Sequence, residues 1–97
     1  MDCYSTGISE TNIATHLTIS PNPTTSDAVI NFGLSENGTI IFEVCDLLGN
    51  AIYTISDNYD AGEYYVPLDT REMPPGNYII RLLYNGKQIG IEKFIKH

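Results

Sequence analysis

Pro75-Gly76-Asn77-Tyr78-Ile79-Ile80-Arg81-Leu82-Leu83-Tyr84-Asn85-Gly86-Lys87-Gln88-Ile89-Gly90-Ile91 decides the fold. Tyr78, Ile80, Leu82 and Tyr84 share parity, the period of a strand with one buried face. Asn85-Gly86 follows at once, and both central residues of a type I′ hairpin turn need positive φ, which Asn and Gly tolerate. A second strand then runs from Lys87 to Ile95. Ile89 and Ile91 keep its alternation, which slips at Glu92-Lys93 before Phe94; a bulge there would explain the slip. Pro75-Gly76-Asn77-Tyr78 sets a Tyr at the head of the first strand, where sandwiches of the immunoglobulin kind lock a corner through the phenol.

Working toward the N-terminus, the same grammar repeats. Glu63 to Leu68 alternates, with Tyr64, Val66 and Leu68 inward. Ala51 to Ser56 forms a further strand, ended by the polar run Asp57 to Gly62. Thr39 to Asp46 turns Ile40, Phe42 and Val44 inward and reverses through Leu48-Gly49-Asn50. Ala28 to Leu34 places Ala28, Ile30, Phe32 and Leu34 on one face. Leu17-Thr18-Ile19 is stopped by Pro21 and Pro23, which cannot donate ladder hydrogen bonds. Seven short strands spaced by turns predict an all-β fold, an immunoglobulin-like β-sandwich of about seven antiparallel strands. Residues 1–15 show no period and read as a linker or tail from a longer parent; the domain is expected over 16–97.

Composition narrows the function. The chain has 97 residues, a net charge of −7 and only five Lys and Arg. Phosphate neutralisation needs a basic patch, so no nucleic-acid role is expected. No apolar run reaches the ~20 residues of a membrane span, so no membrane insertion is expected. No secretory leader is visible, which leaves a cytosolic protein or a piece of a longer secreted one. Cys3 and Cys45 read most simply as two unpaired thiols; a bridge is the alternative, because small secreted domains use such staples.

Little chemistry is legible. There is no Gly-x-Ser-x-Gly, and His16 and His97 stand at opposite ends of the domain as solvated residues. Asp57, Asp60 and Glu63 offer hard oxygens but match no EF-hand spacing, and read as a hairpin tip. No catalytic residue, metal or cofactor is therefore expected, and the chain is not read as an enzyme. Tyr53, Tyr59, Tyr64 and Tyr65 read as packing before binding platform. The last strand, taken as an exposed edge, would allow strand addition or a homodimer.

Four ordered motifs carry a resemblance. They are Ile19-Ser20-Pro21-Asn22-Pro23, Val44-Cys45-Asp46-Leu47-Leu48-Gly49, Met73 to Arg81 with its Gly76-Asn77-Tyr78, and the closing Lys93-Phe94-Ile95-Lys96-His97. From Leu17 to Lys96 the chain resembles the type A C-terminal sorting domains of the bacterial type IX secretion system. It departs at Ser20, where many members carry a bulky residue before Pro-Asn-Pro. The resemblance implies a secretion signal, read while folded in the periplasm and delivered through an outer-membrane translocon to the cell surface or beyond. The partners it implies are the secretion machinery and a sortase-like surface protease, with a cut expected within residues 5–16. The residues expected to serve recognition are Pro21, Asn22, Pro23, Gly49, Gly76, Tyr78, Lys93 and Lys96. For the glycines and prolines, and for Tyr78, the competing reading is structural; for the lysines it is a solvated edge that deters aggregation. The alternative function is a fibronectin-type or immunoglobulin-like spacer or carbohydrate-binding module of a secreted protein.

Overall fold

The computed structural model describes residues 14–97. Residues 1–13, which hold Cys3 and most of the expected linker and cut region, lie outside the described residues. Seven strands follow: β1 (Ala14–Ser20), β2 (Asp27–Leu34), β3 (Gly38–Asp46), β4 (Ala51–Tyr59), β5 (Gly62–Asp69), β6 (Gly76–Tyr84) and β7 (Lys87–Lys96). They form two antiparallel sheets in the orders β1-β2-β5 and β4-β3-β6-β7. This is the immunoglobulin-like sandwich that the alternation predicts.

The alternating residues meet between the sheets. Ala28, Ile30, Phe32 and Leu34 face Ile40, Phe42 and Val44, with Leu68, Tyr78, Ile80, Leu82, Ile89 and Phe94 completing the core. Phe32 is its hub: its ring lies 4.9 Å from Phe42 and 5.2 Å from Tyr59, both edge-on, and 5.4 Å from Tyr64, stacked. The turn between β6 and β7 has the expected geometry, with φ of 48° at Asn85 and 88° at Gly86.

Several expectations change. β1 begins at Ala14, two residues before the expected domain start. β4 continues through Asp57 and Asn58 to Tyr59, because Gly38 and Thr39 of β3 keep pairing with it. The Thr39 hydroxyl donates to the Asn58 side-chain oxygen at 2.7 Å, so the polar side chains cross-link the ladder rather than end it. The slip in β7 lies earlier than Glu92-Lys93. Leu82 pairs with Gly90 and Leu83 with Gln88, which leaves Ile89 as the extra residue. Ile89 thus turns into the core while Ile91 faces out. His16 is not simply solvated: its Nε2 lies 3.0 Å from both the Asn31 side-chain oxygen and the Glu63 carboxylate, tying β1 across β2 to β5. Cys45 is not a free thiol; it is buried and disulfide-bonded.

Candidate functional site

The Pro21-Asn22-Pro23 segment does more than stop β1. Ser20-Pro21 and Asn22-Pro23 are both cis peptides. Between them the Asn22 side chain reaches the end of β7. Its amide nitrogen donates to the Lys93 carbonyl at 3.2 Å, and its oxygen accepts from the Ile95 amide at 2.9 Å. A side-chain amide presents an N–H donor beside a carbonyl acceptor, as the N–H and C=O of a single strand residue do, so Asn22 substitutes for a strand residue. Thr24 extends the pairing through its own backbone. Its amide donates to the Ile95 carbonyl at 2.8 Å, its carbonyl accepts from the His97 amide at 2.9 Å, and it bridges Lys96 in parallel.

The end of β7 is therefore a paired edge, not the exposed one expected from sequence. The physical reason is that two prolines without amide protons bracket an Asn that supplies the missing donor from its side chain. Thr24 itself is fully buried and donates to the Asp27 carbonyl at 2.7 Å. Sequence reading missed Thr24, whose only signal is its position directly after the turn.

The remaining motifs converge on the same end. The Asp46 carboxylate accepts from the Leu48 amide at 2.9 Å and the Asn50 amide at 3.0 Å, which shapes the β3–β4 turn. Gly49 adopts φ 89° in that turn, a conformation that costs an L side chain about 1–2 kcal/mol. The Tyr78 hydroxyl donates to the Pro74 carbonyl, the expected corner, and its ring stacks on Phe94 at 5.6 Å. Gly76 starts β6 opposite Lys96.

The two lysines separate. Lys96 is buried, and its ammonium donates to the Met73 carbonyl at 3.2 Å, so the solvated-edge reading fails for it. Lys93 is exposed and makes no ion pair among the described residues. Lys93 borders a groove of about 360 Å³ with Asn22, Leu47, Asn77, Tyr78, Phe94 and Ile95. Leu47 and its neighbour Leu48 are 55% and 86% exposed. Sequence reasoning did not place Leu47 in the site. The available signal was two consecutive leucines within a tight turn, where polar residues are the rule.

The tyrosines divide as well. Tyr59 and Tyr64 pack on Phe32, and Tyr64 donates to the Asp60 carbonyl at 2.7 Å. Burial, followed by the neighbouring Asp57 and Tyr64, pushes the Tyr59 phenol up. Tyr53 and Tyr65 are exposed. Among the described residues no group of three His, Cys, Asp or Glu side chains could hold a metal ion. The motif-bearing end offers a largely apolar groove bordered by the Lys93 ammonium.

No curated protein gives a significant match. A solved structure of the Pseudomonas fluorescens alkylpurine DNA glycosylase AlkC, bound to DNA containing an abasic site analog, is similar with a TM-score of 0.60 and 16% identity. The match covers 87% of this chain and 30% of that one, a likeness of fold alone. Residues 18–97 match the model of the secretion system C-terminal sorting domain, a type IX export signal for the cell surface or extracellular space. All four motifs lie within that span, and the chain belongs to the family of secretion system C-terminal sorting domains.

Proposed function

We propose that this domain is a non-catalytic sorting signal read as a folded surface, and that the surface is the end where the four motifs meet. The observation that carries this is the Asn22 clamp. By fixing the Pro-Asn-Pro turn to Lys93 and Ile95, it holds the groove between rigid elements. Within the set, Asn22, Gly49, Gly76, Tyr78 and Lys96 position the groove, while Leu47, Lys93 and Ile95 present the contact surface. Pro21 and Pro23 fix the path of the turn around Asn22. The partner is the secretion machinery. After transit through the periplasm, a sortase-like protease cuts upstream of the sandwich. β1 occupies residues 14–16 of the expected window, which favours a cut before residue 14.

The test fuses residues 1–97 behind an inner-membrane export signal and a fluorescent reporter, in a host with a working type IX system. Reporter outside the outer membrane, with a matching folded but unrelated sandwich retained in the periplasm, is the expected result. Periplasmic retention of the folded fusion would sink the proposal and favour a spacer or binding module.

A further inference from the structure

An edge strand leaves one row of N–H and C=O groups unpaired, and proteins blunt such edges with proline, lysine, bulges or a covering segment. Most edges of this sandwich are managed. β1 packs beside β7, and Asn22 and Thr24 bond to the end of β7, which closes that side. On the opposite side β5 carries Pro67, which has no amide proton to offer. β4 is left, and among the described residues it pairs with β3 alone. Val44 pairs with Tyr53 and Cys45 with Ala51, so Ile52 is the extra residue of a bulge. From Tyr53 to Asn58 the register then runs unbroken. That stretch holds no lysine and no proline, and alternate residues direct their backbone groups away from β3. All of it is exposed except Ile55, which is half-buried.

The side chains along this edge have one sign of charge. Ile52 and Tyr53, 44% and 45% exposed, border a cleft of about 420 Å³ with Asp69, Glu72, Met73 and Pro74. Arg71 already holds Asp69, but Glu72 is exposed and makes no ion pair among the described residues. Asp57 lies four residues beyond Tyr53 on the same face, because Tyr53 pairs with Val44 and Asp57 with Ile40. The cations are engaged or distant. Arg81 is paired with Glu43, Lys96 is buried, and Lys87 and Lys93 stand on β7 at the far edge of the sheet.

We propose that β4 is a docking edge that takes an extended, basic segment of a partner protein as an added strand. Main-chain pairing along Tyr53–Asn58 supplies the affinity, and alternate side chains select the partner. The fitting segment carries Lys or Arg four residues apart on one face. One lays its apolar stem on Ile52 and Tyr53 with its charge at Glu72, and the other meets Asp57. Charge disfavours self-pairing, because a second copy brings another −7 and no cation to this edge. The edge shares no residue with the groove at the motif-bearing end, so it stands independently of the export reading.

The probe is the capped peptide Thr-Lys-Thr-Val-Thr-Lys-Thr, set beside the same peptide with Glu in place of Lys, each titrated into the full chain. Amide hydrogen exchange followed by NMR reads the edge. The lysine peptide should slow exchange several-fold at alternate residues between Tyr53 and Asn58, and leave the β5 and groove amides unchanged. It should bind about tenfold tighter than the glutamate peptide, since two exposed pairs turn from attraction to repulsion. Asp57→Lys with Glu72→Lys should reverse that preference. No protection within Tyr53–Asn58 at millimolar peptide overturns the proposal. Equal protection by both peptides overturns it too, as does a folded double variant that keeps the parental preference. If the double variant is unfolded, the contrast between the two peptides decides alone. Protection of the same amides without peptide, growing with chain concentration alongside a dimer in sedimentation, replaces the partner strand by a second copy.

Discussion

Asn22 matters because one side chain makes two backbone-like hydrogen bonds to β7. Asn22→Ala should lower stability by about 1–2 kcal/mol, since each net hydrogen bond contributes roughly 1 kcal/mol. Urea unfolding measures it, and an unchanged midpoint would contradict the clamp. The lysines make a sharper pair. Lys96→Glu places an anion where a buried ammonium meets the Met73 carbonyl, and should cost roughly 3 kcal/mol or more. Lys93→Glu changes an exposed position and should stay within about 0.5 kcal/mol by the same measurement. Sequence could not separate them, because both sit in one basic motif and burial is set by the Met73 loop folding over β7. Asp69 supplies the pH dependence. Hydrogen bonds from the Arg71 side chain, then from its backbone, hold the Asp69 carboxyl at about 2. A carboxylate lowered on folding adds stability above its ordinary value of 3.8, and loses it as pH falls through about 2. Arg71→Ala should therefore return the Asp69 titration toward the ordinary range, read by carboxyl NMR, and its effect on stability should vanish at the acid end. An Asp69 titration that Arg71→Ala leaves in place would refute this pairing.

At the scale of elements, seven strands were legible because apolar alternation and turn residues agree over most of the chain. The β6–β7 turn was legible, since Asn85-Gly86 has one good backbone solution. Gly86 sits at φ 88°, so Gly86→Ala should cost about 1–2 kcal/mol, measured as a shifted unfolding midpoint. A neutral Gly86→Ala would mean the turn is not I′. β4 ran past its apparent end because Asp57 and Asn58 look like loop residues, yet pairing with Gly38 and Thr39 outweighs composition. The bulge at Ile89 was misplaced for a related reason. Gly90 and the two flanking isoleucines hide the slip, since both faces of β7 there accept an apolar side chain. The Pro-Asn-Pro turn was visible as a stop to β1, but not as a clamp on β7. A contact between residues 22 and 95 has no local pattern to betray it.

For the whole molecule, Phe32 joins both sheets through Phe42, Tyr59 and Tyr64. Phe32→Ala should lose about 3–5 kcal/mol and leave a small domain close to unfolded; calorimetry that finds a near-wild-type melting temperature would contradict that role. The candidate surface was legible in its motifs but not in its make-up, because Leu47 and Asn77 join Lys93 around one groove only when β3, β6 and β7 line up. We infer that export reads this assembled end and not merely a folded C-terminal domain. The direct measurement is secretion of the reporter fusion carrying Leu47→Asp with Lys93→Glu, set beside its unfolding midpoint. A fold as stable as the parent within about 1 kcal/mol, as for other exposed substitutions, is expected together with reporter held in the periplasm. Secretion at the parental level by that folded double variant would contradict it.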